Sequence, residues 1–181
     1  MPSIYLSPSV QEFNPYITGG NEEYYMNLIA DAMVPYLRAS GIEFTRNNPG
    51  DTLAQVIAQS NAGDYDLHLA LHSNAAPENL SGALQGPDVY YYTYSEPGEQ
   101  AAEFFTRNLE AIYPNPSLVT QVPSSTLPEL RRTAAPAVLV ETAYHDNYED
   151  AQWITSHIDE IARNLVLSLT QYFGIPFVEP D

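Results

Sequence analysis

The stretch Leu67-His68-Leu69-Ala70-Leu71-His72-Ser73-Asn74 contains an apolar run, Leu69 to Leu71, that stops abruptly at His72. Two other runs end the same way: Ile4-Tyr5-Leu6 at Ser7, and Ala137-Val138-Leu139-Val140 at Glu141. Short apolar runs of this kind read as strands of an α/β sheet whose faces are covered by helices. Ligands of open α/β sheets bind outside the carboxyl ends of the strands. A histidine and a glutamate at two such ends therefore point to one shared site, and to an enzyme rather than a scaffold.

Outward from these runs, helical and extended segments alternate. A helix is expected from about Glu22 to Ala39, with Asn21 as its N-cap, Ser40-Gly41 as its stop, and Pro35 marking a kink or an early end. A short strand follows at Ile42–Thr45, then a helix from Asp51 or Thr52 to about Ala62. Beyond Leu67–His72 come a Tyr-rich strand at Val89–Tyr94, a helix over Pro97–Tyr113, a short strand at Leu118–Val122 and a helical turn at Leu127–Thr133. Ala137–Val140 is the last strand, and a helix over roughly Ile154–Tyr172 closes at Gly174, leaving a Pro-containing tail, 175–181. This order implies βαβ units and a largely parallel sheet. No repeat or linker divides residues 1–181, so the expectation is a single α/β domain.

The chain has 181 residues with no Lys, six Arg and 23 acidic residues, a formal charge of −17. Such a surface repels nucleic acid and anionic membranes, which are bound mainly through Lys and Arg contacts to phosphate. Cysteine is absent, which removes disulfides, thiolate metal sites and a Cys nucleophile. No apolar run approaches the roughly 18 residues of a membrane span. Met1 leads almost directly into the first strand, so no signal peptide is read there.

Glu22 lies on the stripe of Met26, Ile29, Met33 and Leu37, which faces the core, so its carboxylate needs a partner or a metal. Glu23 suits the helix N-terminus by its charge alone. His68 and His72 share a strand face but stand about 13 Å apart along the backbone, so His68 reads as a core or supporting histidine. Glu141 opens Glu141-Thr142-Ala143-Tyr144-His145-Asp146-Asn147 and is placed to act as a general base; a salt bridge to Arg131 or Arg132 is the plainer alternative. His145 is close enough in sequence to reach the same cleft, and His157 reads as a surface residue. A Glu and a His as metal ligands, with a second Glu as base, describe metal-assisted hydrolysis. No G-x-S-x-G elbow and no Gly-rich nucleotide loop is present.

On these residues the sequence resembles the zinc-dependent N-acetylmuramoyl-L-alanine amidases that include bacterial autolysins and phage endolysins. Asn21-Glu22 opening a helix, Leu69-Ala70-Leu71-His72-Ser73-Asn74-Ala75, and Leu130-Arg131-Arg132-Thr133 followed by Pro136-Ala137-Val138-Leu139-Val140-Glu141 carry the resemblance. It implies a mixed sheet of about six strands flanked by helices, and cleavage of the amide between N-acetylmuramic acid and L-alanine in peptidoglycan. Carried over by position, Glu22 and His72 hold one zinc ion, Glu141 activates water, and Asn74 and Arg131 contact substrate. The family's Gly-His pair after the first strand is replaced here by Ser7-Pro8-Ser9-Val10-Gln11-Glu12. Gln11 or Glu12 through oxygen, or His145 from the far side, could stand in as third ligand. The alternative is a silent domain that binds wall fragments, or regulates another hydrolase, through the same cleft.

Overall fold

Local signals set the helix starts in the computed structural model, which describes residues 1–181. Asn21 accepts from the Tyr24 N–H at the head of α1 (Glu22–Ala39), and Thr52 forms a capping box with Gln55 at the head of α2 (Leu53–Ala62). Pro35 does not end α1. Met33, Tyr36 and Leu37 are buried on both sides of it, and that burial outweighs the lost backbone hydrogen bond.

The strands are β1 (Ser3–Pro8), β2 (Glu43–Arg46), β3 (Leu67–Asn74), β4 (Asp88–Tyr92), β5 (Thr120–Ser124) and β6 (Ala137–Tyr144). They form one six-stranded sheet in the order β2-β1-β3-β6-β4-β5. β2, β1, β3 and β6 run parallel; β4 runs antiparallel to β6 and carries β5 parallel to itself. The sheet is thus mixed and mostly parallel, within a single α/β domain.

The remaining helices are α3 (Glu96–Ile112), α4 (Pro128–Arg131), α5 (Tyr148–Ser156) and α6 (Ile158–Phe173). The expected single C-terminal helix is two. Asn147 caps α5 by accepting from the Asp150 N–H, and the chain turns at His157 before α6. The capping Asn and the acids behind it sit inside a segment that reads as a continuation of the strand end, which hides the helix start. β5 begins two residues later than expected, after a single helical turn at Pro116–Leu118.

Side chains alternate across the sheet, so each strand feeds two layers. Ile4, Leu6, Leu67, Leu69, Leu71, Val138 and Val140 face α1, α3 and α6 in one large core. Tyr5, Ser7, His68, Ala70, His72, Leu139 and Glu141 alternate with them and face the other way, toward α2 and α4. This second face is the one that carries the polar side chains.

A candidate metal-dependent hydrolase site

Strand register brings the candidates together. His72 on β3 is the Cα partner of Glu141 on β6, and Asp88 on β4 flanks Glu141 from the other side. Beyond this pair the β3–β6 ladder shifts register between His72 and Asn74, so β6 carries one extra residue there. Such a bulge bends the strand and re-aims the side chains beyond it. The N-terminus of α1 meets the same strand ends, because the stripe of Met26, Ile29, Met33 and Leu37 is fully buried against the sheet.

Glu22 and His72 are in direct contact, His72 Nδ1 lying 2.9 Å from Glu22 Oε1. The Ser73 N–H donates to the same oxygen at 3.3 Å, and Asn14 Nδ2 donates to Oε2 at 2.7 Å. Burial opposes the charged form of Glu22, but the bonds from His72, Asn14 and Ser9 and the charge on His72 hold its carboxyl below the ordinary range.

His72 has a second partner that the sequence did not point to. Its Nε2 lies 3.0 Å from Glu129 Oε2, while Glu129 Oε1 meets His68 Nε2 at 3.0 Å and accepts from Ser7 Oγ at 2.5 Å. Ser60 Oγ, on α2, completes the line at 2.9 Å from His68 Nδ1. Glu129 is 4% exposed, and these donors, with the charge on the histidines, overcome burial and hold its carboxyl far below the usual range. His72 moves the other way. Burial lowers it, but its bonds to Glu129 and Glu22 and the charges of Glu129 and Glu141 raise it well above an ordinary histidine. The backbone spacing between His68 and His72 keeps them from one ion, yet their side chains share one carboxylate. Glu129 sits in the first turn of α4 directly after Pro128, where an acid is ordinary; no local pattern distinguishes it from a capping charge.

Glu141 has no such support. Its Oε2 is buried without a hydrogen-bond partner, and neither Arg131 nor Arg132 forms an ion pair with it. Burial pushes its pKa up to about 7, opposed by the charge on His72 and reinforced by Glu22, Asp88 and Glu129. That is the range in which a carboxylate exchanges protons at neutral pH.

The other candidates are spread around this centre. Gln11 lines the cleft beside His72, its Oε1 accepting from Asn14 Nδ2 at 2.7 Å. Glu12 is exposed and makes no hydrogen bond. His145 is buried behind Ser73, its Nδ1 2.9 Å from Ser73 Oγ and its ring stacked on Tyr16; burial lowers its pKa against the pull of Glu22 and Asp146. Asn74 donates weakly to Asp88 at 3.4 Å, on the Glu141 side. Arg131 is exposed and lines a separate hollow with Ala134 to Ala137, at the start of β6 rather than at its Glu141 end.

A cation fits part of this donor set. Glu22 supplies an anionic oxygen and His72 a ring nitrogen, and the other nitrogen of His72 is tied to a carboxylate, as is usual for ligating histidines. Two such ligands are fewer than the three protein ligands of most catalytic zinc sites. No group of three or more His, Asp or Glu side chains is disposed to hold a metal. Gln11 is the neighbouring oxygen donor, and oxygen shifts preference toward harder ions. The larger hollow of about 670 Å³, at the other end of the sheet near Met1, Arg38 and Glu43, holds none of these residues.

Comparison with known proteins agrees with this architecture. The amidase AmiC2 of Nostoc punctiforme superposes with a TM-score of 0.82 at 17% identity, covering 96% of this chain and 97% of that one. An N-acetylmuramoyl-L-alanine amidase from Clostridium difficile 630 gives 0.82 at 15% identity, with 96% and 97% covered. The catalytic domain of the CD27L endolysin, which targets Clostridia difficile, gives 0.77 at 21% identity, with 94% and 98% covered. At these identities the likeness establishes the fold. No curated protein matches the chain. Over residues 13–171, however, the sequence matches the N-acetylmuramoyl-L-alanine amidase family, to which this chain belongs.

Proposed function

We propose that the protein hydrolyses the amide between N-acetylmuramic acid and L-alanine in peptidoglycan or its muropeptides. The observation that carries this reading is the convergence of Glu22, His72 and Glu141 from a helix start and two strand ends onto one cleft of an amidase fold. A metal ion held by Glu22 and His72 would polarise the scissile carbonyl and acidify water. Glu129 holds Nε2 of His72 and leaves Nδ1 turned to Glu22, while Asn14 and the Ser73 N–H orient the Glu22 carboxylate. Glu141, ionised near neutral pH, takes a proton from the attacking water. As the C–O bond forms and the C–N bond breaks, it passes that proton to the alanine nitrogen.

A second reading keeps the groove and drops the reaction. Both nitrogens of His72 are clasped by carboxylates, and the stretch Ser7-Pro8-Ser9-Val10-Gln11-Glu12 after the first strand holds no histidine. This arrangement also suits a domain that only binds wall fragments. Elemental analysis and wall digestion separate the two. Hydrolysis requires close to one equivalent of bound metal, release of alanine N-termini from purified walls, and loss of that release in Glu141→Gln by a factor of about 10²–10⁴. A metal-free protein, inert with added zinc yet sedimenting with walls, supports the binding module instead.

A further inference from the structure

The cleft has anions on both sides and no arginine lining it. Its larger hollow, about 440 Å³, runs from His72 past Val10, Phe13 and Val56 to Asp51. A smaller one of about 140 Å³ continues from His72 and Glu129 to Glu141 and Leu139. Both are lined by Gln11, Leu53, His72 and Glu129, so they form one groove. Asp88 lies just beyond Glu141.

Every cation of the chain can be placed elsewhere. Arg46 is bound to Asp31, Arg107 to Glu103 and Arg163 to Glu179. Arg38 lines the hollow at the far end of the sheet, Arg131 the one at the start of β6, and Arg132 is exposed at the end of α4. His72 lies between two carboxylates, its Nδ1 against Glu22 and its Nε2 against Glu129. A bound dication would offset two of the carboxylates Glu22, Glu129 and Glu141, leaving the third together with Asp51 and Asp88 uncompensated.

Neutral amide groups find better partners here. Asp51 receives Asn48 N–H and Gln59 Nε2 on one oxygen, Oδ2, and nothing on the other. Gln11 and Ser9 stand beside it in the same hollow.

Resting on the amidase reading above, we infer that the cleft selects acyl-alanyl peptides whose next residue is carboxamide-capped, and turns away those carrying a free carboxylate. Like charges a few residues apart in a half-buried groove, partly screened by salt, amount to about a tenfold difference.

The test compares N-acetylmuramoyl-L-alanyl-D-isoglutamine with its free-acid counterpart as substrates of the metal-loaded protein. The expected result is a kcat/KM about tenfold higher for the amide, falling to about threefold in Asp51→Asn and narrowing as salt is raised. Equal or faster cleavage of the acid overturns the inference and leaves the amidase reading intact. A ratio unmoved by Asp51→Asn overturns the role given to that carboxylate. Cleavage of neither compound brings down the amidase reading and the inference together.

Discussion

The two faces of the sheet are built from the same strands yet do different work. One face buries a cluster of 32 residues against α1, α3 and α6. The other buries a cluster of four, Ala70, Leu130, Ala137 and Leu139, beside the line Ser60–His68–Glu129–His72–Glu22. Apolar burial contributes about 25 cal/mol per Å², so the first face supplies most of the stability. The second can hold buried charge because the first stabilises the fold, and strained or unpaired groups persist where the surrounding structure overdetermines them. The faces meet only where strand ends and the α1 N-terminus coincide, and the candidate chemistry sits there.

The comparison breaks most visibly on the large core. Phe105 on α3 is fully buried there. Phe105→Ala is expected to cost about 3–5 kcal/mol in denaturant unfolding, while the folded fraction takes up as much metal per molecule as the wild type. A loss of metal affinity in this variant would show that the two faces are not separable.

The converse substitution lies on the thin face. Glu129→Leu removes the carboxylate from His72, His68 and Ser7 at once. Partners of ligating histidines are worth about 10–100-fold in metal affinity, so titration calorimetry with zinc should show a weakening in that range. Unchanged affinity would mean that His72 does not hold the metal, or does not need Glu129 to do so.

Legibility in the sequence divides along the same line. The apolar runs Ile4–Leu6, Leu69–Leu71 and Ala137–Val140 announce the sheet because burial on a repeating surface leaves a periodic mark. Glu22 was legible for a related reason: an acid on the apolar stripe of a helix violates that periodicity. His72 and Glu141 were legible because each interrupts an apolar strand. Glu129 obeys every local rule, following Pro128 in a first turn, and its role exists only through His68 and His72, some 60 residues away in sequence. The antiparallel placement of β4 was equally silent, since Val89–Tyr92 alternates in the same way whichever direction it runs. The α5–α6 break at His157 was hidden because apolar residues continue on both sides of it.

Glu141 sharpens the contrast through pH. Its pKa rises from 4.5 to about 7 on folding, so its protonated form is favoured in the native state. The associated stability is present below the unfolded value and is lost as pH climbs through about 7. Glu141→Gln lacks that loss. Its unfolding free energy should coincide with the wild type near pH 4 and lie above it by about 3 kcal/mol at pH 8, in metal-free protein. A variant that is less stable at pH 8 would show that the carboxylate is satisfied by its surroundings, and would remove the argument for a base held ready without a partner.

The smallest effect is expected on the solvent side of α3. Arg107 pairs with Glu103 one turn earlier, both largely exposed. Exposed ion pairs of this spacing are worth about 0.3–0.5 kcal/mol and are screened by salt. Arg107→Ala should therefore shift unfolding by no more than about 0.5 kcal/mol, and by less at high salt. With a formal charge of −17, however, removing any cation also removes attraction to the remaining acids. If the shift at low salt exceeds the pair's own worth and collapses on adding salt, the general field of the molecule is responsible rather than Glu103. The same field then acts on the second face, where Glu141 gains its raised pKa from burial first and from neighbouring carboxylates after it.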